Sequence, residues 1–306
     1  MPDALRGAVI ALGNFDGFHS GHQAVVRAAN QLADKMAVPL IVASFDPHPV
    51  NLFQPAARPF RLTNLSQRQH LFAAAGASAM LLIEFGPEMA ATSAEDFIDK
   101  LLVERFGAGG IVTGSDFGFG REKRGSAKTL QAAADDGKFA YRAVDPVNNL
   151  GEPVSSSRIR EALVDGDPGE AAFLLTRPFA IEGEVEHGDK VGRTLGFPTI
   201  NVALSTYLRP RYGVYAVSVK LPDGRVLRGA ANMGVRPQFE PPVEKLEVHL
   251  LGYSGDLYGE TVEVAFHSYL RDEARFSNIE QLKTQMAADC DRARYVLTAE
   301  VMARHH

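Results

Sequence analysis

The residues best suited to chemistry fall in one short stretch, residues 13–22, GNFDGFHSGH. His19 and His22 flank Ser20 and Gly21, and the glycines Gly13, Gly17 and Gly21 let the backbone approach a ligand closely or adopt positive φ. Imidazoles donate to triphosphate oxygens and stabilise transition-state charge, while amides at a helix start hold the anion. That pairing suits nucleotidyl transfer and requires no covalent nucleophile. The familiar P-loop is excluded, because no Lys-Ser/Thr pair ends the stretch, and the Gly-x-Gly-x-x-Gly spacing of a dinucleotide fold is absent as well. An isolated histidine would read as a cap or an exposed residue. Two of them, three apart in a Gly-rich turn, point to function.

The flanking sequence must position this turn. An apolar run at 8–12 predicts a short buried strand before it, and Val25, Ala28, Leu32 and Met36 share one face of a predicted helix after it. Strand, turn and helix aim backbone N–H groups and the positive helix end at an anion. Further strands are predicted at 39–45, 80–83, 110–113 and 139–144. Helices are predicted at 66–75 (closed by Gly76), from the caps Thr92 and Ser93 through Phe106, and at 126–136 (closed by Gly137). This alternation implies right-handed βαβ units and a mostly parallel sheet. Ligands of such sheets sit beyond the carboxyl ends of the strands. Segments 13–22, 46–49 and 114–125 should therefore share one rim.

The pattern changes near 175–178. Strand-like runs follow at 179–186, 199–202, 213–220, 226–233, 245–251 and 261–266, with Pro222-Asp223-Gly224 as a turn, and they suggest a small antiparallel barrel. Ile279, Leu282, Met286, Cys290, Ala293, Leu297 and Val301 form one apolar stripe on a closing helix. The expected architecture is α/β plus β, with domains at 1–178 and 179–306.

Composition narrows the class. A chain of 306 residues holds two ordinary domains. Its 45% hydrophobic and 23% charged residues are those of a soluble globular protein, and a net charge of −5 does not advertise nucleic-acid or anionic-membrane binding. The single cysteine, Cys290, excludes an intrachain disulfide and a multi-cysteine zinc site. The first residues lack a spanning helix or a secretory cleavage pattern, so a cytoplasmic enzyme is expected, monomeric or weakly homo-oligomeric.

Four other segments bear on the chemistry. Residues 114–125, GSDFGFGREKRG, read either as a plain surface loop or as a flexible loop whose aromatics pack on a flat ring. Residues 155–160, SSSRIR, read as a capped helix start with solvated arginines or as a polyphosphate site. Residues 188–201, GDKVGRTLGFPTIN, combine a Gly-rich loop, Arg193, and Thr199 and Asn201 two apart. On a strand these two point to one side, where their neutral oxygens help hold Mg²⁺ beside a phosphate. Residues 246–259 carry Glu247, which is either an exposed strand carboxylate or a base for a hydroxyl proton.

The opening stretch resembles the nucleotidylyltransferase signature His/Thr-x-Gly-His. Taken with the later segments in order, the chain is similar to the bacterial bifunctional riboflavin kinase/FAD synthetase family over nearly its whole length. The resemblance implies a Rossmann-like nucleotidylyltransferase domain followed by a β-barrel riboflavin kinase domain. The first would bind ATP through Gly13, Asn14, Phe15, Asp16, Gly17, Gly21, Ser155, Ser156 and Ser157, with His19, His22 and Arg160 catalytic. Asp116, Phe117 and Phe119 would hold the flavin nucleotide. The barrel would bind ATP through Gly188, Gly192, Arg193, Gly196 and Pro198, with Thr199 and Asn201 on Mg²⁺ and Glu247 as general base. Riboflavin, FMN and ATP are the implied substrates, and FMN and FAD the products. Departures are Ser157 for the usual Thr, Gly252-Tyr253 for the usual Asp-Phe, and Gln238 for the customary Thr. The last two leave room for an adenylyltransferase with a weakened barrel. A non-catalytic flavin or nucleotide sensor is the third reading, opposed by the presence of all five of His19, His22, Thr199, Asn201 and Glu247.

Overall fold

A computed structural model of the chain describes residues 2–188, 192, 195–236 and 243–298. Packing divides the chain into two compact units, Met1–Arg58 with Leu65–Ser155, and Pro59–Asn64 with Ser156–His306.

The first unit is built on five parallel strands, β1 (Val9–Leu12), β2 (Leu40–Asp46), β3 (Ala79–Glu84), β4 (Gly110–Gly114) and β5 (Ala140–Val144), in the order β3-β2-β1-β4-β5. Helices α1 (Ser20–Met36), α2 (Pro49–Phe53), α3 (Leu65–Ala74), α4 (Pro87–Ala91), α5 (Ala94–Asp96) and α6 (Ala127–Asp135) connect them. A two-residue hairpin of β6 (Asn148–Asn149) and β7 (Glu152–Pro153) follows, which the sequence pattern did not announce.

All four residues of β1 are buried, and their side chains alternate between two cores. Ile10 and Leu12 join Ile41, Ile111, Phe97, Leu102 and Leu130 on one face. Val9 and Ala11 join Val42, Val112, Val26, Ala29 and Phe72 on the other. A strand covered on both faces needs a continuous apolar run, and β1 and β2 have one. Strand order reverses at β1, where the ligand crevice of an open parallel sheet forms.

Two local expectations need correction. Helix α1 buries Val25, Val26, Ala28, Ala29 and Ala33, while Met36 is exposed. Val25 and Ala28 of the 25-28-32-36 stripe are buried with Leu32 packed beside them, the stripe stops short of Met36, and Val26, Ala29 and Ala33 widen the buried face. The helix capped by Ser93 begins as α5 but continues from Phe97 to Arg105 as a π-helix, and Gly107 follows with φ 58°. Its buried residues Phe97, Ile98, Leu101 and Leu102 remain on one side.

The second unit contains α7 (Ser156–Asp165), α8 (Pro168–Leu175), a closed antiparallel barrel and a final helix. Strands β8 (Phe179–Glu186), β9 (Thr199–Val202), β10 (Gly213–Lys220), β11 (Val226–Arg236), β12 (Val243–Leu250) and β13 (Thr261–Arg271) close in the order β10-β11-β12-β9-β8-β13. The strand beginnings follow the sequence pattern closely except at β12. Strands β11 and β13 run several residues further than expected, β11 by pairing with β12 through Arg236 and β13 by pairing with β10 through Arg271. Phe179, Tyr215 and Phe266 interlock among the buried residues of the barrel.

A short piece of chain from between α2 and α3 completes this unit. Arg61 N–H donates to the Thr206 carbonyl at 3.0 Å, and Leu208 N–H donates to the Arg61 carbonyl at 2.8 Å. Glu182 and Glu263 lie directly opposite on β8 and β13, where like charges repel. Asn64 donates to Glu182 at 2.9 Å, and Arg177 supplies positive charge toward Glu263. Burial nevertheless lowers the Arg177 guanidinium to about 10.

The closing helix α9 (Ile279–Val296) docks through its second half only. Cys290, Ala293 and Leu297 are buried, whereas Ile279 is exposed, and Val301 lies outside the described residues. Polar contacts add to the docking: Asp289 accepts both arms of Arg271, at 2.8 and 2.6 Å, and a further bond from Gln285 at 2.9 Å. Removing one partner strands the other in a mostly buried position. Asp289→Ala should therefore cost about 1.5–3 kcal/mol, read as a lowered urea midpoint for loss of barrel structure, while Ile279→Ala should stay within about 0.5 kcal/mol.

Candidate functional site

In the first unit, β1, β2 and β4 are parallel and end at Leu12, Asp46 and Gly114. Segments 13–22, 46–49 and 114–125 therefore leave the sheet on the same edge, as the alternation of elements required.

The turn after β1 is compact. Phe15 and Phe18 adopt positive φ, 48° and 46°, beside Gly17 at 84°. Such conformations cost a non-glycine residue energy and persist only where packing compensates. Both rings are buried edge-to-face against Phe72. Asp16 is also buried.

His19 is the N-cap of α1, and its Nδ1 accepts from the His22 amide at 3.3 Å. The two imidazoles are stacked, with centroids 3.6 Å apart and planes 19° from parallel, and Phe15 meets His22 edge-on. Gly21 makes the stack possible, since a Cβ there would press on the His19 ring at 3.1 Å. Gly13 likewise leaves room for the Phe15 ring. The arrangement gives two ring systems and the first α1 amides at one helix end, which suits a polyphosphate.

Around the rim, His48 caps α2 by accepting from the Val50 amide at 3.2 Å. Beneath it lies a buried chain that the sequence did not reveal. Arg68, only 1% exposed, donates to Ser44 Oγ at 3.0 Å and pairs with Asp46 at 3.5 Å. Ser44 Oγ donates to the Asn14 carbonyl at 2.7 Å. Arg68 reads in sequence as an ordinary polar residue of a surface helix.

The 114–125 loop divides its aromatics. Phe119 is a core residue, packed on Phe97 and bridged through its backbone to Gly125. Phe117 is partly buried and stacks on Phe119 at 5.9 Å, and Asp116 is exposed beside Gly114. Phe119 thus anchors the loop, leaving Phe117 and Asp116 as the residues with open surface.

Ser155 ends the first unit. Ser156, Ser157 and Arg160 belong to the second as the first turns of α7. Arg160 Nε donates to the Phe60 carbonyl at 2.9 Å, and its guanidinium lies over the Phe60 ring at 5.4 Å.

In the barrel, alternation sends Leu246, Val248 and Leu250 inward, all buried, and puts Glu247 and His249 on the outer side. Register places Glu247 opposite Asn201 on β9 and opposite Asn232 on β11, with Thr199 opposite His249. Thr199 and Asn201 therefore share the outer side with Glu247, as their spacing predicted. Asn232 donates to Glu273 at 3.2 Å, and His249 Nδ1 donates to the Pro198 carbonyl at 2.8 Å.

The Asn201 Oδ1 is buried with no hydrogen-bond partner among the described residues. A Cβ at Gly188 would collide with the Asn201 amide, and one at Gly192 would approach Thr199 Oγ1 at 3.4 Å. Glycines thus cradle two neutral oxygens, one of them without a partner among the described residues, which fits a hard cation shared with phosphate. No group of three or more His, Cys, Asp or Glu among the described residues forms a metal cage. Arg193 and Gln238 lie outside the described residues. Gly196 has φ 88° and Gly252 φ 74°, each with open space where a Cβ would stand. Tyr253, the other departure, supports the Arg225 guanidinium at 5.7 Å.

Comparison with known proteins agrees with both units. Residues 1–158 match the FAD synthetase family and residues 175–297 the riboflavin kinase family. The Escherichia coli K12 protein named bifunctional riboflavin kinase/FMN adenylyltransferase is 38% identical over 93% of this chain and 91% of its own. The protein of the same name from Pseudomonas fluorescens is 41% identical over 94% and 93%. A solved structure from Streptococcus pneumoniae, described as a macrolide-efflux protein, superposes with a TM-score of 0.86 at 32% identity, covering 96% of this chain and 95% of its own. No helix among the described residues is long and apolar enough to cross a membrane.

The cap and the ring chemistry of His19 can be separated. His19→Ala should lower the stability of the sheet unit by about 1 kcal/mol in urea unfolding, whereas His19→Asn, a good N-cap without an imidazole, should restore most of it.

Proposed function

Because the chain belongs to the bifunctional riboflavin kinase/FMN adenylyltransferase family, we propose that its barrel phosphorylates riboflavin with ATP to FMN, and that its sheet unit then transfers AMP from a second ATP to FMN. The observation that carries the first step is the register that sets Glu247 beside Asn201, whose buried oxygen has no partner among the described residues.

In the kinase step the ribityl 5′-hydroxyl attacks the γ-phosphorus, its proton passes to the Glu247 carboxylate, and the bond to the β-phosphate oxygen breaks to release ADP. Thr199 and Asn201 would hold Mg²⁺ together with phosphate oxygens, and Gly188, Gly192, Arg193, Gly196 and Pro198 would form the surrounding phosphate loop. Mg²⁺, when bound, supplies charge neutralisation on the phosphates.

In the second step an FMN phosphate oxygen attacks the α-phosphorus of ATP in line, and the bond to the bridging oxygen breaks to release pyrophosphate. The turn from Gly13 to Gly17, with Asn14, Phe15 and Asp16, Gly21 and the amides of α1 would hold the triphosphate, and His19 and His22 would donate to it as charge develops. Ser155, Ser156, Ser157 and Arg160 keep the pyrophosphate role that their motif implies. Asp116 and Phe117 are the flavin-side candidates, with Phe119 holding their loop. The net charge of −5 and the small-molecule substrates support a cytoplasmic enzyme that acts without nucleic acid or membrane, as a monomer or weak homo-oligomer.

Purified chain given riboflavin, ATP and Mg²⁺ should yield FMN and then FAD, followed by chromatography. FAD from supplied FMN with none from riboflavin would favour a single-activity adenylyltransferase. No product from either would favour a flavin or nucleotide sensor. Glu247→Ala should cut FMN formation by about 10²-fold or more and leave FMN-to-FAD conversion intact. Loss of both steps in that variant would overturn the two-centre assignment. Chelation of divalent metal should stop both reactions, with recovery on adding Mg²⁺ back.

A further inference from the structure

We infer that Arg68 is a positioning residue for adenylyl transfer, acting through Ser44 on the backbone of the histidine turn. The inference rests on the adenylyltransferase reading of that turn. Arg68 lies on α3, well separated in sequence from residues 13–22, and its side chain is almost wholly buried. A buried arginine is costly unless its charge and donors are used. Here two of its nitrogens reach partners on the strand exits: Nη1 donates to the Ser44 hydroxyl at 3.0 Å, Nη2 pairs with the Asp46 carboxylate at 3.5 Å, and the Ser44 hydroxyl continues the chain to the Asn14 carbonyl at 2.7 Å.

The polarity of this chain has a direction. The hydroxyl accepts from a cation, so its own O–H is polarised and binds the carbonyl more strongly. A trans peptide points its C=O and its N–H to opposite sides. Holding the Asn14 carbonyl on Ser44 therefore aims the next amide, that of Phe15, away from Ser44. Phe15 has positive φ, so the orientation of this peptide is not one the chain would adopt unaided. The other arm of Arg68 ties down Asp46, the last residue of β2, just before His48 and α2. One guanidinium thus fixes both the β1 and the β2 exits of the rim. Lysine carries the charge but cannot bridge the two partners with a planar fork.

The test uses the full chain, with the barrel reaction as an internal control. Arg68→Lys and Ser44→Ala should each lower kcat for FMN adenylylation by about tenfold or more, as misplacement of a reacting group by a fraction of an ångström does. The KM for ATP should change much less, riboflavin phosphorylation should keep its wild-type rate, and the thermal midpoint should fall by only a few degrees. The double variant should be little worse than Arg68→Lys alone, because both act on the Asn14 carbonyl. Arg68→Met, if soluble, should be more severe than Arg68→Lys. Unchanged adenylylation in the lysine and alanine variants would overturn the inference. So would a loss that tracks thermal stability and disappears on cooling, since that marks a purely structural role. Wild-type chain that makes no FAD would instead refute the adenylyltransferase reading itself.

Discussion

The first unit depends on one constraint: β1 is hydrogen-bonded on both edges and covered on both faces, so its chain can reach a ligand only at its end. Everything polar must then be arranged in the few residues that follow. The backbone turns through two positive-φ phenylalanines, which packing against Phe72 holds in place, and reaches α1 with His19 already capping it. Capping and stacking leave little rotational freedom in the two imidazoles. The positive end of α1 and the histidines are therefore held together as one preorganised group, an arrangement suited to an anion.

The barrel solves the same problem by a different device. Its interior needs apolar side chains at alternate positions, which leaves the intervening positions of β9, β11 and β12 for polar ones. Closed pairing brings Asn201, Glu247 and Asn232 into one cross-strand row. The final helix packs by Ala293 and Leu297 with Ala216 and Ala230, so the small alanines of β10 and β11 take the helix. Glycines at 188 and 192 then allow the loop to lie against Asn201 and Thr199. No group of three or more His, Cys, Asp or Glu among the described residues gathers at either candidate site, where the close neighbours are neutral oxygens, rings and backbone amides.

Much of this was legible in the sequence because it rests on local periodicity. Every β-strand of the sheet and barrel lay within a few residues of an apolar or alternating run, and the caps Ser93 and Ser126 and the closing glycines Gly76 and Gly137 marked helix ends. Features fixed by pairing between distant segments were not legible. Register alone places Glu247 between two asparagines. Phe119 packs on Phe97 while Phe117 keeps open surface, and a Phe-x-Phe-Gly run carries no sign of which ring turns inward. Arg68 and Ser44 look like ordinary polar residues, since burial of a cation depends on partners brought from other elements. The apolar stripe of α9 overstated its docking for the same reason: periodicity marks a face but not how far the partner surface extends.

The piece at 59–64 has a consequence for how the chain is made. It leaves the ribosome early, within the first unit, yet its backbone partners are at 206–208. During synthesis the strands β1 to β5 can all pair before those partners exist, while residues 59–64 wait as an unpaired excursion. The second unit is accordingly discontinuous in sequence, although the strands of its barrel are not. A fragment beginning anywhere after Asn64 lacks the edge that Arg61 supplies and the amide that Asn64 gives Glu182, so dividing the gene at one point cannot yield both halves whole.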